Sequence, residues 1–453
     1  MGKTPEISAG NGATGSGVAP QFAGRFNQFQ RTMLQWSGLH PYHAVHVLKV
    51  EQPLSGGRYE ERLNLVIEQC GLAALSLDEG GGSYRYEGGY PGLRIREVAG
   101  QGDPMAALDR EIMWQLNEPI VRDGAFTPFR FFLMNTGGAS YLGITYFHAV
   151  ADAEAISRLL FAVARASFAP ELPPLADESL CPGRISPMLA GNPLHFLHRA
   201  RAALNSFRAM RKSIRPPLCE ENEFSTAYFG VHFDEEQTRT VIARAKGWGL
   251  TVNDLCIAAL LKAISTRARE VHWHKSNRPL LAVGCVVNVR RDLPEKRRRD
   301  FGLFLGSFAV TQDVSGEVPM HELARTVRER TLAVKRHKLY LAAPLEFMVS
   351  RFMFGRMPLE KQRNFYRKTY PLWGGITNMN MGTLQADEND PPMVDYYRAV
   401  SVGPAMPMVI GVTGVEGVLN LGISYRPTVL SEGDVRGIVA RFTALLTGSE
   451  EAA

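Results

Sequence analysis

A histidine and an aspartate spaced four residues apart, His148 and Asp152, have the residue types and the spacing to do acid–base chemistry. They lie in the segment FHAVADAE, which runs from Phe147 to Glu154. Apolar residues precede His148 and a helical pattern follows Asp152, so the histidine ends a predicted strand and the aspartate precedes a predicted helix. An imidazole in that position can accept a proton from a molecule that is not protein. A hydrogen-bonded core histidine is the alternative interpretation.

Two predicted strands and one predicted helix position this segment. Residues 129–134 and 140–147 are predicted as a β-hairpin, because apolar residues dominate both and the turn-rich sequence NTGG joins them. After Asp152, apolar residues recur at the spacing of one helix face. A strand at 42–50 and an amphipathic helix at 58–71 are predicted upstream.

Length and composition limit the classes of protein that this sequence can represent. Its 453 residues exceed what one hydrophobic core usually serves, so we expect two lobes. The net charge of +6 is too mild to suggest a nucleic-acid partner. Five widely spaced cysteines indicate reduced thiols in a cytoplasmic protein. The histidine clusters, one of His40, His43 and His46 and the other of His272 and His274, lack carboxylates at ligand spacing, so we predict no metal site.

The chain divides into four predicted segments. Residues 1–24, rich in Gly, Ser and Ala, form a predicted disordered tail. Residues 25–175 form a first lobe, which carries His148, and residues 223–453 form a second lobe of mixed strands and helices. Residues 176–222 form the linker between the lobes, which is Pro-rich at first and then contains a basic helix.

The second half has the same mixed strand and helix content as the first. Its predicted strands cover residues 226–233, 279–290, 407–415 and 418–427. Its predicted helices include residues 251–265 and 432–446. Alternating strands and helices in both halves indicate an α/β fold.

Four short motifs resemble those of the chloramphenicol acetyltransferase-like superfamily. The segment FHAVADA is similar to H-H-x-x-x-D-G, with Phe147 in place of the first histidine and Ala153 in place of the glycine. Three further motifs follow in the same order as in that superfamily: TVNDLCIAAL, VVNVRRDLP and ITNMNMG, at residues 251–260, 286–294 and 376–382. The superfamily includes condensation domains of peptide synthetases, polyketide-associated acyltransferases and wax ester synthases. The resemblance covers residues 25–450.

The resemblance implies an α/β fold of two chloramphenicol acetyltransferase-like lobes. Each lobe would be a mixed sheet with flanking helices, and the two would meet in a V with a tunnel at their interface. His148 would lie near the middle of the tunnel as a general base. Asp152 invites interpretation as a triad carboxylate, but the resemblance implies a structural ion pair with Arg290.

The resemblance also suggests residues that contact substrate. Asn378 is the predicted catalytic donor to the oxyanion of the reaction. The predicted substrate-binding residues are Phe147, Thr377, Ser307 and Asn380. The alternative is that the polar residues of residues 376–382 merely finish a strand.

The activity implied by the resemblance is acyl transfer from a thioester donor to an alcohol or amine. Acyl-CoA or a phosphopantetheinyl carrier protein would be the co-substrate, a small molecule the acceptor, and no cofactor would be permanently bound. We expect a cytoplasmic monomer whose basic helix offers a peripheral membrane contact. The alternative, suggested by Phe147, is a catalytically degenerate condensation-like protein that binds a carrier protein or a lipid-like ligand.

Overall fold

The computed structural model describes most of the chain between residues 22 and 449. The residues in that range that it leaves undescribed are 81, 101, 172–179, 181–200, 202–203, 218–222, 273–277, 314–315, 343–351, 353–356, 359–360, 363–364, 366–367, 384–392, 404–405 and 416. Most of the predicted tail and much of the predicted linker therefore lie outside the described residues. Residues 22–24, which we assigned to the tail, form part of a strand, because strand β1 (Phe22–Arg25) pairs antiparallel with β4 (Ser83–Tyr86).

The main sheet of the first half has five strands in the order β12-β2-β7-β6-β5. Its strands are β2 (His43–Val50), β5 (Ile95–Ala99), β6 (Phe129–Thr136), β7 (Ala139–Phe147) and β12 (Met393–Val400). Neighbours pair antiparallel except β5 and β6, which are parallel. A smaller sheet joins β1 and β4 to β3 (Leu75–Asp78). The predicted hairpin is therefore confirmed as β6 and β7.

Helices cover both faces of the five-stranded sheet. The helices of the first half are α1 (Gln28–Ser37), α2 (Gly56–Gln69), α3 (Pro104–Asn117) and α4 (Ala153–Phe168). Apolar residues of α2 and α4 pack on one face, and those of α3 pack on the other. Asp152 caps α4, because its side chain accepts a hydrogen bond from the backbone N–H of Ala155 at 2.9 Å. The helix that follows the His148 segment therefore begins where the sequence predicts it.

The second half forms a six-stranded mixed sheet in the order β10-β9-β11-β13-β14-β8. Its strands are β8 (Ala227–Phe233), β9 (Leu280–Asn288), β10 (Leu305–Asp313), β11 (Gly374–Asn380), β13 (Met408–Val415) and β14 (Val418–Tyr425). Its helices are α5 (Glu235–Gly247), α6 (Val252–His272), α7 (Met320–Arg336) and α8 (Glu432–Thr447). One face of the sheet buries apolar residues under these helices. The predicted mixed α/β architecture is confirmed.

Hydropathy places one limit on membrane insertion. Within the described ranges no single helix is both long and apolar enough to cross a bilayer; α5 together with α6 passes that test by length and composition, with a bend of 97° between them.

Strand β12 connects the two halves of the molecule. It comes from the second half of the sequence but pairs with β2 in the first sheet, and it also contacts β13 and β14 of the second sheet. A Cβ atom at Gly422 would overlap the carbonyl oxygen of Arg398, so glycine at this position of β14 permits the close approach of β12. The division into four segments stays a prediction, and this strand shows that the first sheet is not built from residues 25–175 alone.

Candidate active site

A cavity of about 280 Å³ lies between the two main sheets. One wall consists of side chains from the first sheet, namely Ala44, His46, Tyr146, Arg398 and Val400. The other wall includes residues from the second sheet, among them Gly284, Val286, Ser307, Ala309, Gly375, Thr377, Val409, Gly411 and Gly422. Helix α1 adds Phe29, Met33 and Trp36. The lining is mostly apolar, as is usual for a small-molecule site.

Four glycines of the second sheet line the cavity. Because side chains alternate along a strand, Ile410 and Ile423 point into the helix-covered core while their neighbours Gly411 and Gly422 face the cavity. Gly284 and Gly375 lie on the same side, where a Cβ atom on either one would crowd the sulfur of Met406. Glycines on this face therefore allow Met406 and the backbone of β12 to approach the second sheet closely at the edge of the cavity.

His148 lies in this cavity at the end of β7. Its ring stacks on Tyr42 with centroids 5.7 Å apart and meets Tyr146 edge-on at 5.5 Å. Its Nδ1 is 3.3 Å from the carbonyl oxygen of Ala151. A carbonyl can only accept a hydrogen bond, so Nδ1 carries the proton and donates, which leaves the lone pair on Nε2. No described residue forms a hydrogen bond with Nε2.

The protonation state of His148 favours a role as a base. Burial lowers its pKa from 6.5 to about 4, because removal from water disfavours the charged imidazolium, although the hydrogen bond to Ala151 and the charge of Asp152 act in the opposite direction. The imidazole is therefore neutral at pH 7. A neutral imidazole with one fixed tautomer can accept a proton at Nε2 from a bound hydroxyl or amine.

The buried histidines give a prediction for the pH dependence of stability. Burial lowers the pKa of His40 and His148 to about 4, that of His43 to about 3, and that of His46 well below 6.5. Between pH 4 and 6.5 the unfolded chain therefore binds more protons than the folded chain, and the free energy of unfolding should rise with pH across this window. Urea denaturation at several pH values measures the slope.

A single-histidine variant isolates one contribution to this slope. His46→Gln should make the slope shallower by up to about 1.4 kcal/mol per pH unit, which corresponds to one proton. His232, whose side chain is about half exposed, provides the matched control for substitution of a histidine that is not buried, and His232→Gln is measured at the same pH values. A wild-type stability that stays constant from pH 4.5 to 7 would contradict the argument.

The predicted ion pair between Asp152 and Arg290 is present and buried. Arg290 Nη2 lies 2.8 Å from Asp152 Oδ1, and Arg290 Nε lies 3.1 Å from Oδ2. The exposed fractions of these side chains are only 1% and 3%. Asp152 points away from the cavity side of His148, since its carboxylate is occupied by Arg290 and by backbone N–H groups. Asp152 therefore forms no direct hydrogen bond with the imidazole of His148, which a triad carboxylate would need.

This ion pair connects the His148 segment to the second half of the chain. The backbone N–H of Phe304 donates to Asp152 Oδ2 at 2.9 Å, and the N–H of Asp152 donates to the carbonyl of Gly302 at 3.0 Å. Arg290 also donates to the carbonyls of Asp300 and Gly302. The bonds of Asp152 hold the loop between β7 and α4 against the segment that precedes β10, and those of Arg290 to Asp300 and Gly302 fix Arg290 within that segment. The pair therefore fixes the backbone that carries His148.

The predicted residues of β11 and β10 separate into two groups. Thr377 and Ser307 line the cavity. Asn378 is exposed and lies outside the lining, because alternation along β11 puts Thr377 on the cavity face and its neighbour on the opposite face. Asn380 is also exposed and accepts a hydrogen bond from the N–H of Gly382. The positions of Asn378 and Asn380 thus do not support the roles that we predicted for them.

Phe147 packs into the core of the first half instead of contacting the cavity. It is 2% exposed, and its ring meets Phe126 edge-on with centroids 6.2 Å apart. The guanidinium of Arg122 lies 5.1 Å from the ring centroid on another side. The residue before His148 in β7 must face away from the cavity by alternation. The position of Phe147 therefore supports a role in core packing and not the predicted contact with substrate.

Sequence reasoning missed several residues of the cavity. Tyr42, Tyr146 and Arg398 were not singled out, and His46 was considered only as a metal ligand. One pattern in the sequence could have indicated Arg398, because it is a charged residue within the otherwise aromatic and apolar segment YYRAV that follows Asp395. Among the described residues no group of three or more His, Cys, Asp and Glu side chains is arranged to hold a metal ion.

Comparison with solved structures identifies the class of fold. A trichothecene 15-O-acetyltransferase from Fusarium sporotrichioides superposes with a TM-score of 0.70 and 11% identity, covering 96% of this chain and 97% of the other. The first condensation domain of the CDA synthetase gives a TM-score of 0.66 and 16% identity, covering 94% and 96%. No family model matches this sequence, and no curated protein matches it in sequence.

A third similar structure was solved with ligands in place. It is the starter condensation domain of rhizomide synthetase in complex with C8-CoA and Leu-SNAC, with a TM-score of 0.63 and 13% identity, covering 94% of each chain. The chain thus has the two-lobed chloramphenicol acetyltransferase-like fold of condensation domains and related acyltransferases. The resemblance in the sequence motifs is confirmed at the level of the fold.

Proposed function

We propose that this protein is an acyltransferase that moves an acyl group from a thioester donor to an alcohol or amine, with His148 as the general base. The observation that carries this proposal is the neutral imidazole of His148, held in one tautomer by Ala151, inside an apolar cavity between the two lobes. The fold supports acyl transfer as the general class of chemistry. Acyl-CoA or a phosphopantetheinyl carrier protein is the proposed donor.

The proposed reaction proceeds by direct attack. Nε2 of His148 takes the proton from the acceptor hydroxyl or amine as its oxygen or nitrogen bonds to the thioester carbonyl carbon. The tetrahedral intermediate then collapses, the carbon–sulfur bond breaks, and the thiolate takes the proton back from the imidazolium. No acyl-enzyme forms, which agrees with the lack of a G-x-S-x-G sequence in the chain.

The hydroxyls of Ser307 and Thr377 are the proposed donors to the oxyanion of the intermediate. Both line the cavity on the wall that faces His148. Donors placed at a developing negative charge contribute about 3–4 kcal/mol in other enzymes. This assignment replaces the earlier prediction of Asn378.

A thiol-release assay tests the proposed function. The purified protein is incubated with acyl-CoA donors of increasing chain length and a mixture of alcohol and amine acceptors, and free CoA is followed with a thiol reagent while mass spectrometry identifies the product. We expect acceptor-dependent CoA release and an ester or amide of matching mass. The same donors loaded on a carrier protein distinguish the two donor classes.

A protein that binds these ligands without turning them over is the second candidate function. The replacement of the first motif histidine by the packed side chain of Phe147 favours it. Saturable binding of an acyl-CoA without thiol release from any donor would support this second candidate and contradict the first.

A further inference from the structure

Arg398 is a buried cation in the wall of the cavity. It lies on β12 directly opposite His46 of β2, is 6% exposed, and lines the same space as His148. Charged side chains are rarely buried unless a group of opposite charge accompanies them. An arginine at this position therefore needs an electrostatic explanation.

The partners of Arg398 within the protein are all neutral. Its Nε donates to Thr413 Oγ1 at 2.9 Å, and its Nη2 donates to the carbonyl of Val412 at 2.8 Å and to that of Thr377 at 3.4 Å. No carboxylate of the described residues forms an ion pair with it. The carboxylate nearest in sequence, Asp395, is bound instead by Tyr397 and Asn420. The positive charge thus remains uncompensated.

The neighbouring histidine does not supply the missing charge. His46 Nδ1 hydrogen-bonds with the hydroxyl of Tyr396 at 2.8 Å, and that hydroxyl lies 2.8 Å from Ser157 Oγ. Burial and the charge of Arg398 together lower the pKa of His46, so its ring is neutral. Because the His46 ring is neutral, it neither balances the charge of Arg398 nor adds a second positive charge. A single anionic group of a ligand could therefore neutralise the guanidinium.

We propose that Arg398 is a specificity-determining residue that binds a carboxylate of the ligand in this cavity. A carboxylate fits best, because Nη1 of Arg398 has no hydrogen-bond acceptor among the described residues and can donate a charge-assisted hydrogen bond to it, and the apolar lining fits the rest of a small acid. Strands β12 and β7 are separated by β2, so Arg398 stands two strands, about 10 Å at the backbone, from the strand that ends before His148. It therefore holds a remote part of the ligand and not the reacting carbonyl.

The carboxylate has two sources within the proposed function. It belongs either to the acyl acceptor, such as a hydroxy or amino acid, or to the far end of a dicarboxylic acyl group. Both sources presuppose the proposed acyl transfer. The binding of a carboxylate by Arg398 does not depend on it.

A binding experiment tests the anion site without requiring turnover. Isothermal titration calorimetry in chloride-free buffer compares octanoate with octanamide, which has the same length but no charge. Wild-type protein should bind octanoate about 10- to 100-fold more tightly, as expected for a charge-assisted hydrogen bond. Arg398→Gln should bind the two ligands equally, and Arg398→Lys, which keeps the charge, should retain part of the preference.

A matched control separates this role from a general effect of removing a buried arginine. Arg426 is 5% exposed and donates to the carbonyls of Val402 and Gly403, but it does not line the cavity. Arg426→Gln should keep the preference for octanoate. Equal binding of both ligands by wild-type protein, or a preference that survives in Arg398→Gln, would overturn the proposal. If Arg398→Gln does not fold, Arg398→Lys replaces it, and equal affinity of wild-type protein for the two ligands still overturns the proposal.

Thioester kinetics then identify the source of the carboxylate. Octanoyl-CoA is compared with suberoyl-CoA as donor, and a hydroxy acid is compared with its amide as acceptor. The pair that wild-type protein distinguishes by 10-fold or more in kcat/KM, and that Arg398→Gln does not, contains the natural carboxylate. An equal loss of kcat with every substrate would instead assign Arg398 to the reacting centre and contradict a remote role. Absent turnover with intact octanoate selectivity would refute the proposed function alone.

Discussion

Replacing His148 with alanine should lower kcat/KM for acyl transfer by about 10²- to 10⁴-fold, the usual contribution of a general base. In the proposed reaction the imidazole supplies the proton acceptor at Nε2, whereas the second histidine of the cavity, His46, has its Nδ1 hydrogen-bonded to the hydroxyl of Tyr396. The fold should survive, since the ring borders a cavity and the variant leaves the Asp152–Arg290 pair intact. Thiol release measures the rate, and urea denaturation should show a loss of no more than about 2 kcal/mol.

Two variants make the result with His148 specific. His148→Gln keeps much of the volume and can still hydrogen-bond, but it cannot accept a proton at neutral pH, so it should be as slow as His148→Ala. His232→Ala removes a half-exposed histidine of β8 that pairs with Asn420 and should leave kcat/KM unchanged. Turnover by His148→Ala within 3-fold of wild type would remove this residue from the mechanism.

The substitution Asp152→Asn should lower the free energy of unfolding by about 3–5 kcal/mol, because it leaves Arg290 buried without a counter-charge. The amide also cannot accept hydrogen bonds at both oxygen positions, so it loses the N–H of Ala155 or that of Phe304. Activity should fall together with soluble yield, since the displaced loop carries His148. Chemical denaturation measures the stability, and the assay is repeated on the soluble fraction.

A second ion pair provides the control for Asp152. Asp300 pairs with Arg297 at 3.0 Å, and the exposed fractions of the two side chains are 19% and 22%. Asp300→Asn should therefore cost no more than about 1 kcal/mol. An Asp152→Asn protein that is as stable and soluble as wild type, yet inactive, would show that Asp152 acts in the chemistry and not in the structure.

Local sequence patterns predicted the part of the site that depends on neighbouring residues. The hairpin β6–β7, the start of α4 and the position of His148 at a strand end all follow from apolar periodicity and turn residues, and the structure agrees. The Asp152–Arg290 pair joins residues 138 positions apart, and only the resemblance to known acyltransferases indicated it. The structure places these two residues in contact, as the resemblance implied.

Other parts of the site were beyond reach because they depend on distant pairing. Strand β12 was not predicted, since its partner β2 lies near the other end of the sequence, and Arg398 was missed with it. The predicted role of Asn378 depended on the register of β11, because shifting by one position moves a side chain to the opposite face, and the structure places Thr377 and not Asn378 on the cavity face. Motif spacing identifies a strand, but the neighbouring sheets decide which of its faces meets the ligand.

The pairing of β12 with β2 has a consequence for how the protein is made. A nascent chain leaves the ribosome N-terminus first, so β2, with the sequence HAVHVLKV, emerges more than 340 residues before β12 does. Throughout that interval one edge of a mostly apolar strand has no mate, and exposed edges of this kind invite aggregation. Fragments that stop before residue 393 lack β12 and keep this edge of β2 unpaired, so we expect them to aggregate more readily than the full chain.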